Sequence, residues 1–131
     1  MGSRWCDHWV PFAWPQPTHT LPRMADFLQV STATPTRDQA VDLARTAVAE
    51  RLAAGAQIVG PVTSAFWHDG VFGTGEEWQL LLKTTRARYP ELEAHLLKHH
   101  PWRNPEIAAV AIEAGSKGCL DWIAANTGPV E

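Results

Sequence analysis

Two β-patterned runs separated by a glycine-rich turn limit the folds open to this chain more than any other feature. Ile58 to Phe66 is rich in β-branched and apolar residues, and Trp78 to Thr84 alternates Leu80, Leu82 and Thr84 with Gln79, Leu81 and Lys83. Asp69-Gly70 through Gly73 and Gly75 supplies the turn between them. The pattern predicts a long β-hairpin. A two-stranded ribbon cannot stabilise itself in water, so the flanking elements decide the architecture.

Upstream, Phe27-Leu28-Gln29-Val30-Ser31-Thr32 reads as a short strand. Pro35 then precedes Thr36-Arg37-Asp38-Gln39, a capping box in which the Thr36 hydroxyl accepts from a first-turn N–H while Gln39 reaches back. A helix is expected from there, with Ala40, Leu43, Ala44, Ala47, Val48 and Leu52 on one apolar face and Gly55 as its left-handed stop. Downstream of the hairpin, Tyr89, Leu92 and Leu96 mark a second helix that must end before Pro101. Ile107 to Ile112 is a fourth strand, apolar enough to be central, and Ala114-Gly115-Ser116 introduces a short helix carrying Leu120, Trp122 and Ile123.

The order is therefore β, α, β, β, α, β, α. Two right-handed βαβ crossovers sharing one antiparallel sheet put both main helices on one face: an α+β, ferredoxin-like βαββαβ fold with an extra C-terminal helix. Val30, Leu80, Leu82, Val110 and Ile112 include residues for both faces, so the face without main helices needs a cover. A second subunit is the simplest one, and a homo-oligomer is expected.

At 131 residues the chain has room for one such domain, placed at residues 25–127 with a short tail at 128–131. Residues 1–24 form a Trp/Pro-rich arm, with Trp5, Trp9 and Trp14 among Pro11, Pro15, Pro17 and Pro22. Two readings stand for the arm: translation begins naturally at Met24, or the tryptophans dock on the domain or on a neighbouring subunit.

The 45% apolar and 19% charged residues describe an ordinary globular chain. A net charge of −3 without a Lys/Arg run excludes nucleic acid as an expected partner. No apolar stretch approaches the ~18–20 residues that span a bilayer, and no signal-peptide core is present, so no membrane association is expected. Cys6 and Cys119 sit in no ligand spacing, which favours a reducing, cytoplasmic compartment.

Hydrolase and nucleotidase motifs are absent: there is no GxSxG, no HExxH, and no Lys-Ser/Thr after the Gly70–Gly75 stretch. Glu76 and Glu77 beside Lys83, with Glu106 at the start of the fourth strand, form a charged cluster better read as ion pairing than as acid/base machinery. The chain is read as a non-enzyme. His95 and His99 lie four apart on the second helix, so their rings share a side and suit a transition metal, with a third donor needed from His68, Glu106 or another subunit. The competing reading makes His95 and His99 part of the apolar face and His100 a helix-end residue favourable to the dipole.

The chain resembles the CutA family of divalent-cation tolerance proteins from Phe27 to Trp122. The resemblance rests on Arg51-Leu52-Ala53-Ala54, Val62-Thr63-Ser64-Ala65-Phe66, Glu76-Glu77 with Leu80 to Lys83-Thr84, His100-Pro101-Trp102-Arg103-Asn104-Pro105-Glu106-Ile107, and Leu120-Asp121-Trp122. It implies a ferredoxin-like homotrimer in which long hairpins extend each sheet onto its neighbour, similar to PII-type signalling proteins. It also implies a link to copper and other divalent metals. Gly55 stands where many members carry Cys, Phe66 and Trp102 where Tyr is usual, His68 where Trp is usual, and Cys119 where Tyr is frequent. The residues carried over to the cleft between subunits are Lys83, Glu106, Trp122 and His100. For a metal, the expected ion is Cu(II), with His99 or His100 as first donors and His95 or His68 as helpers. The rival reading is a PII-like sensor holding a small anion through Lys83, and a third is a trimeric scaffold without ligand.

Overall fold

The computed structural model describes residues 25–128. The arm with its tryptophans and residues 129–131 lie outside them. Seven elements follow in the expected order: β1 Phe27–Thr34, α1 Arg37–Ala49, β2 Gly55–His68, β3 Val71–Thr85, α2 Tyr89–His99, β4 Ala108–Ala111 and α3 Lys117–Ala125. The four strands pair antiparallel in the order β2-β3-β1-β4, the arrangement that two interleaved βαβ crossovers require.

Strict alternation along β1 turns Leu28, Val30, Thr32 and Thr34 inward, opposite Thr84, Leu82 and Leu80 of β3. Against this face α1 lays Leu43, Ala44 and Ala47, and α2 lays Leu92 and Leu96. Small alanines on α1 let the helix approach the sheet while leucines from both sides fill the gap. The two buried threonines at the sheet ends are satisfied: Thr84 donates to the Leu52 carbonyl at 2.6 Å, and Thr34 to the Thr36 carbonyl at 2.7 Å.

The start of α1 follows the capping signal with one difference. Thr36 Oγ1 accepts from the Gln39 N–H at 3.2 Å, but the Gln39 side chain reaches back to the Thr36 hydroxyl at 3.0 Å, not to its backbone N–H. At the other end the expected stop at Gly55 is corrected. Arg51 takes the left-handed conformation, φ 60°, while its N–H bonds Val48 O and the Leu52 N–H bonds Ala47 O, a Schellman closure. A non-glycine residue there costs about 1–2 kcal/mol, offset in part by the Arg51 guanidinium donating to the Ala125 carbonyl of α3 at 2.7 Å. Gly55 instead begins β2, and its lack of a side chain serves packing: a Cβ there would sit 2.7 Å from the Trp122 ring.

That contact locates α3. Gly55 pairs with Lys83, while their neighbours Ala56 and Leu82 face α1 and α2. Paired residues share a face. Trp122 therefore lies on the opposite face of the sheet, which the sequence reading left without a helix, and covers its Gly55–Lys83 end. The strand at 107–112 is also corrected: β4 is four residues long, pairs only with β1, and is exposed throughout. Its run of small apolar residues reads as a buried strand, yet it is an edge.

β1 ends opposite Trp78, but β2 and β3 continue in register to His68–Val71 as a ribbon beyond the sheet. Asp69 and Gly70 close it with φ 49° and 76°, the paired left-handed residues that suit a tight hairpin turn. The ribbon leaves Phe66, Trp67, Val71 and Phe72 exposed, Trp67 at 75%.

Candidate functional site

Helix α1 carries Asp42 and Thr46, followed at the same four-residue step by its C-cap Glu50, on the side where α2 brings His95 and His99. His95 is buried, its Nε2 2.8 Å from Thr46 Oγ1 and its Nδ1 3.3 Å from a carboxylate oxygen of Glu50. The Thr46 hydroxyl is also within bonding distance of the Asp42 and Leu43 carbonyls, at 3.1 and 3.3 Å. Burial lowers the His95 pKa from its usual value; Glu50 opposes this, and His99 and Lys98 add to it. His99 is exposed, with its ring centroid 4.6 Å from that of His95. Beside it a cavity of about 250 Å³ opens between the helices, lined by Gln39, Asp42, Thr46 and His99 among others.

His100 follows α2 and has a different job. Its Nδ1 accepts from the Trp102 N–H at 3.0 Å, so Nε2 carries the proton and donates to the Ala33 carbonyl at 2.9 Å, with Thr32 Oγ1 at 3.1 Å. Both nitrogens are committed to holding the α2–β4 connection onto β1. Burial lowers the His100 pKa, against the opposing effect of the Ala33 carbonyl. As a metal donor it would have to surrender one of these bonds.

On the opposite sheet face a second cavity, about 310 Å³, is lined by Ser31, Ala33, Val62, Ser64, Glu77, Gln79 and Glu106 among others. Register explains the gathering: Ala33 pairs with Gln79 and Val62 with Glu77, which places these residues on one face. Ser64 donates to Glu77 at 3.0 Å, and among the described residues no basic side chain lines the space. Glu106 belongs to this cavity. Lys83 does not: it shares the face but stands four residues beyond Gln79 along β3, about 13 Å at strand spacing. Lys83 pairs with Gly55 at the end where the Trp122 ring lies. Of the four residues expected at the cleft between subunits, Glu106 thus stands at one end of this face within one chain, Lys83 with Trp122 at the other, and His100 is bonded to β1.

The four histidines are divided too. His68 is exposed at the ribbon tip, 3.2 Å from Asp69, while His95 and His99 sit on the far side of the sheet and His100 is bonded to β1. Among the described residues no three His, Cys, Asp or Glu side chains converge as a closed metal site. Thr46 and Glu50 are the partners that sequence reasoning missed. They lie 49 and 45 positions from His95 in the chain, and only the packing of α1 on α2 brings them there.

The family described as CutA1 divalent ion tolerance protein matches residues 28–126, from the second residue of β1 to the residue after α3. The chain belongs to this family. Among curated relatives, the divalent-cation tolerance protein CutA of Thermus thermophilus is 38% identical over 94 residues, 72% of this chain and 91% of the relative. Its counterpart in Escherichia coli is 34% identical over 92 residues, covering 70% and 82% of the two chains. The solved structure of the Thermus thermophilus protein superposes with a TM-score of 0.76 at 36% identity, covering 78% of this chain and 99% of that one. A structure from Archaeoglobus fulgidus, described as a periplasmic divalent cation tolerance protein, gives 0.73 at 28% identity, covering 76% and 97%. The ferredoxin-like α+β fold is that of these CutA1 structures. No helix of the described residues is long and apolar enough to cross a membrane.

Proposed function

We propose that this chain acts as a homotrimer in the response to divalent cations, with Cu(II) as the ion it answers to, in the cytoplasm and without a catalytic role. One observation carries the assembly: the β2–β3 ribbon projects past the end of β1 with Phe66, Trp67, Val71 and Phe72 uncovered, and at the other edge of the sheet β4 leaves Val110 62% exposed. Apolar surface and an unpaired strand edge of this kind call for a neighbour, and further copies of the chain supply both ribbon and edge in a closed ring. Membership of the CutA1 family and the relatives' printed description support the link to divalent cations. Imidazole is the nitrogen donor on offer, with six histidines in the chain, and imidazole sites rank Cu(II) first among the common divalent ions. The small-anion reading draws no support from the sheet-face cavity, whose ionisable lining is carboxylate and from which Lys83 is absent.

Growth tests the cellular part. Cells lacking this chain should stop growing at a lower Cu(II) concentration than their parent, and its expression should restore the parental limit. An unchanged limit across Cu(II), Zn(II) and Ni(II) would overturn the reading.

A further inference from the structure

We infer that the N-terminal arm covers one end of the sheet face opposite α1 and α2 in its own domain, its tryptophans packing on Trp122, Lys83 and Val110. The inference goes beyond the proposed trimer and does not rest on it. The ribbon and the Glu106 end of the same face are left to neighbouring copies.

Strand register defines the surface. Gly55 pairs with Lys83, Lys83 with Gln29 and Gln29 with Val110, so one row crosses all four strands on the face away from α1 and α2. Trp122, whose ring lies against Gly55 at one end of the row, is still 44% exposed, and Val110 at the other end is 62% exposed. Leu81, one row further along β3, is half-buried on the same face. Lys83 stands between Trp122 and Val110 and forms no ion pair among the described residues. Apolar area around an unpaired ammonium suits a tryptophan ring, which buries surface and meets the cation on its face.

The segment that fits this surface enters the domain beside it. Just before β1, the Arg86 N–H donates to the Asp26 carbonyl at 2.8 Å and Arg86 Nε–H to the Ala25 carbonyl at 2.6 Å, which fixes where the arm leaves. Ala25 precedes Gln29 of the row by four residues, about 13 Å at strand spacing. Trp14 precedes Ala25 by eleven residues, about 36 Å of extended chain, against a row about 14 Å wide. Trp9 and Trp5 lie further back, so the arm has length to cross the whole row. The aromatic ribbon is the more distant surface: Gly73, opposite Phe66, stands ten residues from Lys83 along β3, about 33 Å. Prolines decide between face and edge. Pro11, Pro15, Pro17 and Pro22 lack the N–H that pairing along the free β4 edge requires, so the arm is suited to contact through side chains across the face.

Thiol chemistry on the full chain tests the inference. Cys119 is exposed in the described domain and lies one helical turn before Trp122, on the same side of α3. With Cys6→Ser it becomes the chain's only thiol. Its reaction with N-ethylmaleimide should be at least about tenfold faster when Trp5, Trp9 and Trp14 are also replaced by Ser, because the cover is then lost. Far-ultraviolet circular dichroism should be the same for both chains, since the core cluster lies within residues 30–96. Fast reaction in both would overturn the docking; slow reaction in both would overturn it too and assign the cover to a second copy. In the native chain, where Cys6 adjoins Trp5, a bismaleimide should join Cys6 to Cys119 in a product with the mass of one chain under denaturing conditions. A product of two chain masses would overturn the assignment of the arm to its own domain.

Discussion

Replacing Trp67 and Phe72 together by Asp should convert the proposed trimer to a monomer without unfolding the chain. Both side chains are exposed in the single chain, 75% and 59%, and touch one another edge to face with ring centroids 5.8 Å apart. They contribute nothing to the core formed by β1, β3, α1 and α2, so the only packing lost within the chain is their own cross-strand contact on the ribbon. In the assembly each large aromatic that a neighbour covers stabilises the contact by about 1.5–3 kcal/mol, and a carboxylate in its place must be desolvated without a partner. The mass by light scattering should fall from three chains to one, with helix and strand content unchanged by circular dichroism. Retention of the wild-type mass would place the interface elsewhere.

The second large effect is expected at His100. It closes three contacts at once, to the Trp102 N–H, the Ala33 carbonyl and Thr32 Oγ1, and it ties the α2–β4 connection to the central strand. His100→Ala leaves the first two groups without partners in a half-buried place, and should lower stability by about 2–3 kcal/mol in urea denaturation at neutral pH. The same geometry sets an acid limit. Protonating Nδ1 requires displacing the Trp102 N–H, and burial lowers the pKa of His100 as it does that of His95. With folded-state values below the ordinary ~6.5, the unfolded chain binds more protons than the folded one as the pH falls below that value. Stability contributed by the neutral rings is therefore present above ~6.5 and lost as the pH drops toward their folded values. In His100→Ala the loss between pH 7 and 5 should be shallower than in the wild type. Equal slopes would show that His100 does not govern the acid limit.

Element type and order were legible because each segment carried its own period: alternation at 80–84, three- and four-residue steps at 40–52, a Thr or Ser cap before α1 and α3. What local pattern could not carry was position in the sheet. Ala108–Ala111 has the composition of a central strand yet pairs on one side only, because edge or centre is decided by which strands arrive beside it. The stop of α1 was misplaced for a related reason. Gly55 looks like a helix terminator, but its missing side chain answers Trp122, 67 residues later, while Arg51 takes the left-handed turn and is held by a carbonyl of α3.

The site was legible in part. The step from His95 to His99 placed two rings together, as helix geometry requires, and the ring centroids are 4.6 Å apart. Their carboxylate partner lay beyond sequence reasoning, since Glu50 reaches His95 only after α1 and α2 pack side by side on the sheet. Lys83, Glu106 and Trp122 share one sheet face, but alternation gives the face and not the distance along it. Strand register separates Glu106 from the other two.

The central claim is that copies of this chain cover one another's ribbons and sheet faces, and sedimentation equilibrium of the full chain tests it most directly. The account predicts a single species at three times the 14.5 kDa of one chain, unchanged over a hundredfold range of dilution. A species at one chain mass would contradict it, because the exposed ribbon and the β4 edge would then stand in water with nothing among the described residues to bury them.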